Sequence, residues 1–384
     1  MTAERKRAES LSRNRPGRRA DRLQWIPGIL FFSVIIASLV LTGAAAADVT
    51  VTFNPGDGSG SPYTQTIKSA EQTPLMLNRF EAPSPELYFL KWRDNNGRYY
   101  ADGQAITSII LNQYTQFEAV WTNATDVSSS DMEQIFTGNR ISEDGYFRMT
   151  TDITLTSPLT LSNGTIAVLD LNGYILKGDG TDSVIRLIMD DNQPEGCHLK
   201  LVDSAPYREH TPAVAGTGSD TGESVTVTGG CITGGNAAKG GGVYVKGNCT
   251  FTMCGGNIVG NCAANGGGGV MISKGMISGG TNTDTLWGSV FMCGGAITGN
   301  TVSTENGGGV QIGEGVFTMT GGEITDNSAK SGGGVYINKG ILSMTGGRIT
   351  DNSAESGGGV YIKSESGAFR VSGTAMVTDN HNSN

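Results

Sequence analysis

A chain of 384 residues has room for two or three domains, and its 58 glycines beside 11 prolines, with no Gly-X-Y period, exclude collagen. Charged residues are 16% of the chain, below the usual share of about 25%, so Ser, Thr, Asn and Gly must dominate the surface. The formal charge of −9 becomes −14 once the basic first 23 residues are set aside, which excludes nucleic acid and an anionic membrane surface as partners of the body.

Residues 1–23 hold eight Lys/Arg against three Asp/Glu. They lead into Ile29–Leu41 (ILFFSVIIASLVL) and the small-residue run Ala44–Ala47. Basic region, apolar stretch and A-x-A-like site together read as an export signal over 1–47, cleaved just before Asp48. Thirteen apolar residues span only about 20 Å as a helix, short of a ~30 Å hydrocarbon core; an uncleaved anchor is the alternative. Either reading places the rest of the chain in the extracellular space or at the cell surface, touching the membrane through this segment only.

Residues 48–122 have another texture, with fewer glycines and more aromatics. Val49–Asn54 alternates with period two, and Tyr63–Ile67, Leu87–Trp92 and Gln116–Trp121 are further strands separated by Pro, Asn and Gly turn signals. Trp92 and Trp121 are expected as core anchors. VTFNPGDG (Val51–Gly58), FLKW (Phe89–Trp92), YYADGQAI (Tyr99–Ile106) and FEAVW (Phe117–Trp121) resemble, in that order, the Listeria–Bacteroides repeat of the internalin B-repeat type. The resemblance implies a small β-grasp-like extracellular module, spacer or receptor contact, without catalysis. Lys91 stands where that motif usually has Gly.

A polar linker is expected over 123–132, followed by short strands over 133–384: Tyr146–Met149, Ile153–Leu155, Leu159–Leu161, Thr165–Leu171, Tyr174–Leu176, Val184–Met189 and Leu199–Asp203. Further on, GGGV ends at Val243, Val270, Val310, Val335 and Val360, in steps of 27, 40, 25 and 25. The underlying period is 25, and the step of 40 holds an insertion at 274–289. Aligned turns give apolar rows: Val225, Phe251, Val290, Phe317, Leu342 and Phe369; Val227, Met253, Met292, Met319, Met344 and Val371; Ile232, Ile258, Ile297, Ile324, Ile349 and Met376. Members of one turn lie two residues apart and so share a face. One such turn buries too little to offset its chain entropy, so the turns must stack. The fold class expected is all-β, a parallel β-helix solenoid. GGxIT-x-N followed by GGGVY resembles the right-handed parallel β-helices of the pectin-lyase-like superfamily, closest to adhesin-like and polymorphic-outer-membrane-type surface proteins. That implies a non-catalytic binding or structural stalk meeting an extracellular glycan or surface protein, with no cofactor.

Catalysis on such a fold needs paired carboxylates, or acids with Ca²⁺ and a basic residue, on one face. The nearest set is Arg186, Asp190, Asp191 and Glu195, the basis of an alternative reading as a polysaccharide lyase or hydrolase. Asn261, Asn300, Asn327, Asn352 and Asn380 form a row expected to be a ladder of stacked amides. Beside it, Asp326, Asp351 and Asp379 form either a weak Ca²⁺ stripe or a solvated acidic edge. No metal-ligating motif is present in the sequence. Cys254 and Cys293 fall in one row of adjacent turns, at a spacing that suits a disulfide or a reduced thiol pair. Trp287 in the insertion is either a sugar-stacking residue on a loop or a lid over the core, and Tyr336 and Tyr361 are expected to stack outward, either as added contact area or as a ladder that stabilises the rows.

Overall fold

The computed structural model describes residues 47–69, 71–111, 115–190, 195–213, 224–276 and 285–382, so the segment read as an export signal, all but Ala47, lies outside the described residues. The chain is all-β with a large, mostly parallel sheet; among the described residues helix is confined to Met132–Ile135 and a 3₁₀ turn at Ser108–Ile110.

Near the N-terminus, strand Val49–Asn54 pairs antiparallel with Tyr63–Ile67 and parallel with the start of Gln116–Val127, which pairs antiparallel with Leu87–Asp94. The alternating positions expected to point inward do so: Val51, Phe53, Ile67, Trp92 and Phe117 have no exposed surface. Trp92 packs against Phe53 and Phe89 and donates its Nε1–H to Asp102 Oδ1 at 3.2 Å, so its one polar atom is satisfied.

The stretch expected as a polar linker is not one. Strand Gln116–Val127 runs on through Asn123, and Ala124–Val127 pairs in parallel with Tyr146–Met149. Val127 is fully buried. Backbone hydrogen bonds to the next strand outweigh the polar composition of NATDV, because the polar side chains alternate outward while Val127 points in.

From Gly145 onward strands pair in parallel with strands one segment further along the chain. One set of rows runs Phe251, Val290, Phe317, Leu342, Phe369; another Ile232, Ile258, Ile297, Ile324, Ile349. A third runs Ile185, Val243, Val270, Val310, Val335, Val360, and so extends earlier in the chain than the GGGV motif. These side chains form one continuous core.

Three row members are corrected. Phe251 and Met253 stand opposite Leu199 and Leu201, not Val225 and Val227; Val227 pairs antiparallel with His210. Strand His198–Val202 offers four consecutive partners in register, whereas Glu209–His210 and Val227–Thr228 pair with each other outside the row. Ile349 stands opposite Val377, and Met376, one residue off, faces Arg348 and is 44% exposed.

Each glycine of the GGG corner has its own steric reason. Gly332 has φ +65°, a conformation that side-chain-bearing residues rarely adopt. A Cβ on Gly333 would lie 2.4 Å from the Ser353 carbonyl oxygen, and one on Gly334 2.6 Å from that of Gly359. Gly333→Ala is therefore expected to lower stability by about 1–3 kcal/mol, the range for overpacking, read as a lower urea midpoint at unchanged slope. An unchanged midpoint would refute this account of the corner.

The N-terminal strands seat on the outward face of the parallel rows through buried polar contacts. Asp102, 1% exposed, accepts from Lys200 Nζ at 2.6 Å, and its carbonyl oxygen accepts from Thr252 Oγ1 at 2.7 Å. Lys91, the departure from the resembled motif, is buried, pairs with Asp144 and lies 3.7 Å from the Tyr99 ring centroid. A glycine there could do neither.

Candidate functional site

The insertion at 274–289 is a β-hairpin: Val270–Met276 continues past the row and returns as Thr285–Thr298, with Lys274 opposite Trp287. Its tip, 277–284, lies outside the described residues. The hairpin is anchored by Lys274 Nζ, 2.6 Å from Glu314 Oε2, and leaves Trp287 half-buried.

Trp287 and Leu286 line a cleft of about 550 Å³ between the outward face of the parallel rows and the N-terminal strands. Its floor includes Val316 and Thr318 with their register partners Ile341 and Ser343. The facing wall comes from Lys68 to Pro74. Its ionic groups are already paired: Lys68 with Asp48 at 2.8 Å and Arg370 with Glu71 at 2.6 Å. What remains is an indole, aliphatic patches, and hydroxyls and amides. Gln72 also lines the cleft; its Oε1 is closed to solvent and has no hydrogen-bond partner.

The other surface residues expected with Trp287 are elsewhere. Tyr336 and Tyr361 stack on one another, ring centroids 5.5 Å apart at 8°, on the paired strands Val335–Ile337 and Val360–Ile362, and neither lines the cleft. Tyr336 does not offer contact area as expected: it is 4% exposed, because its ring lies between the neighbouring side chains of the row, and burial pushes its phenol up, with Tyr361 and Glu305 adding to the effect.

The asparagine row is a continuous internal ladder. Asn261, Asn300, Asn327 and Asn352 have no exposed surface. In each, Nδ2 donates to the next Asn Oδ1, to the carbonyl two residues earlier and to an Ile carbonyl of the preceding segment, at 2.8–3.2 Å. Asp326, Asp351 and Asp379 beside it all have φ +55°, a conformation Asp tolerates, and the first two accept from the preceding Thr hydroxyl. Among the described residues no three His, Cys, Asp or Glu side chains converge as a metal site requires. Of the acid cluster considered for catalysis, Arg186 pairs with Asp182 at 2.7 Å and Asp191 lies outside the described residues.

Cys254 and Cys293 form a disulfide, their Cα atoms 4.8 Å apart. Two features escaped the sequence reading. Cys197 and Cys249, both fully buried, hold their Sγ atoms 3.3 Å apart. His198, 7% exposed, has an Nδ1 without a partner. The motifs Cys-His-Leu and Cys-Thr-Phe at 197–199 and 249–251 align the thiols once Leu199 is placed opposite Phe251. The pair Arg370–Glu71, which closes the cleft, spans 299 residues of sequence and leaves no local signal.

Comparison with known proteins found no family model, no curated protein and no solved structure that matches this chain.

Proposed function

We propose that this chain is an exported, surface-displayed or secreted adhesin-like protein, a right-handed parallel β-helix with a small N-terminal β module, which binds a neutral glycan without catalysis. The parallel register between segments about 25 residues apart supports the β-helix. The single observation that carries the ligand is the Trp287 indole lining a cleft together with aliphatic side chains, hydroxyls and amides. A sugar ring offers an apolar face to stack on an indole and hydroxyls to pair with side-chain hydroxyls and amides. Because the lining charges are paired internally, an anionic or cationic ligand would have to displace an existing ion pair, and a neutral one would not.

A glycan array probed with the purified chain should return neutral oligosaccharides. Trp287→Ala should weaken the best of them about tenfold or more by calorimetry, equivalent to about 1.4 kcal/mol. An empty array, together with release of reducing sugar from polysaccharides, would replace this reading with that of a polysaccharide lyase or hydrolase.

A further inference from the structure

We propose that Cys197 and Cys249 are the site of a second inter-strand disulfide, formed by exchange with an oxidised thiol compound or a disulfide oxidoreductase. The register sets His198 opposite Thr250, so the residues before them face each other across neighbouring parallel strands. Such strands run about 4.8 Å apart, inside the Cα range of 4.4–6.8 Å that disulfides span. The backbone is pinned on both sides: Thr250 N–H donates to the Cys197 carbonyl at 3.1 Å, and Ser289 N–H to that of Cys249 at 3.0 Å. With the sulfurs already 3.3 Å apart, rotation about the Cα–Cβ bonds brings them to bonding distance without moving a strand.

The thiols are also differentiated. The sulfur–sulfur contact, with the Cys197 N–H donating to Cys249 Sγ at 3.4 Å, lowers the Cys249 thiol from its ordinary value, while the same contact and burial push Cys197 up. Both thiols are fully buried once the strands close, so exchange takes place as the chain folds. One cysteine thiolate displaces one sulfur of the oxidant's disulfide as a thiolate; the other cysteine then loses its proton and attacks the mixed disulfide. One S–S bond is made in the protein, and the oxidant leaves as two thiols carrying the two electrons and two protons. Joined to Cys254–Cys293, the new bond would tie three successive strands, His198–Val202, Thr250–Val259 and Thr285–Thr298, into one covalent series. It would close a sequence separation of 52 residues.

The test is peptide mapping of the full chain after refolding in a buffer of reduced and oxidised glutathione, with free thiols alkylated under denaturing, non-reducing conditions. The expected product is a Cys197–Cys249 peptide pair two hydrogens lighter than the separate thiol peptides, with Cys231 and Cys262 alkylated. The double variant Cys197→Ser/Cys249→Ser should then melt several degrees lower than the parent without reductant, and the gap should shrink when both are reduced. Recovery of alkylated Cys197 and Cys249 in a sample whose Cys254–Cys293 bond has formed overturns the proposal, as does either residue linked to a different cysteine.

Discussion

Asn327→Ala is expected to destabilise the chain by about 3–5 kcal/mol, more than the loss of any exposed residue. The Asn327 amide sits at the centre of its ladder. Its Oδ1 accepts from the Asn300 backbone N–H at 2.9 Å and from Asn300 Nδ2 at 3.0 Å; its Nδ2 donates to the carbonyls of Ile297 and Thr325 and to Asn352 Oδ1. Truncation removes all of these at once and leaves the Asn300 N–H without a partner in a water-excluded interior, at roughly 1–3 kcal/mol per orphaned group. It also opens a void beside Gly309, where a Cβ would meet Asn327 Nδ2 at 2.9 Å. Asn327→Asp should be no milder, because it keeps the acceptor but removes both donors and buries a charge. Urea unfolding of the parent and both variants checks this. A change below about 1 kcal/mol in Asn327→Ala would mean that backbone pairing alone holds the corner.

The repeating part of the fold was legible because its interior demands the same residue type at every level. A Val at 243, 270, 310, 335 and 360 can be aligned by eye, and GGG beside it marks a corner where a Cβ on the second or third glycine would strike the next segment. The ladder was legible for the same reason. Legibility fails where the demand is not periodic. Leu199 and Leu201 belong to the rows of Phe251 and Met253, but the longer step in sequence between them breaks the spacing, and Val225 and Val227 imitate the pattern. The 123–132 stretch reads as a linker because its composition is polar, yet strand pairing is a property of backbone that composition does not report. The cleft is the least legible part. Trp287 is visible as an aromatic in an insertion, but Gln72 and the Arg370–Glu71 pair come from opposite ends of the chain and meet only after folding. Tyr336 shows the converse error: an outward-pointing position in a strand is not an exposed one when its neighbours in the row are large.

His198 should make the chain lose stability as pH falls from about 6.5 towards about 4. Burial is the dominant cause of the depression of its imidazole from 6.5 to about 4, only partly opposed by attraction to Asp144. That carboxylate is already engaged by Lys91 and by the Ile166 N–H at 2.7 Å, so it is poorly placed to accept a proton-bearing partner. The sign follows from linkage. Above pH 6.5 the imidazole is neutral in both the folded and the unfolded chain and contributes nothing to the pH dependence. Between 6.5 and about 4 the unfolded chain binds a proton that the folded chain refuses, so stability declines by about 1.4 kcal/mol per pH unit, roughly 3 kcal/mol in all; below about 4 this contribution is constant. His198→Gln keeps a polar side chain of similar reach without the titration. The difference in unfolding free energy between parent and variant should therefore change by roughly 3 kcal/mol across that window, and the proton resonances of the His198 ring should titrate with a midpoint near 4. Parallel pH profiles, or a midpoint at the ordinary histidine value, would show that water reaches the imidazole. The orphaned Nδ1 makes the lower midpoint the physical expectation, since a protonated ring must donate from both nitrogens and this site gives Nδ1 no acceptor.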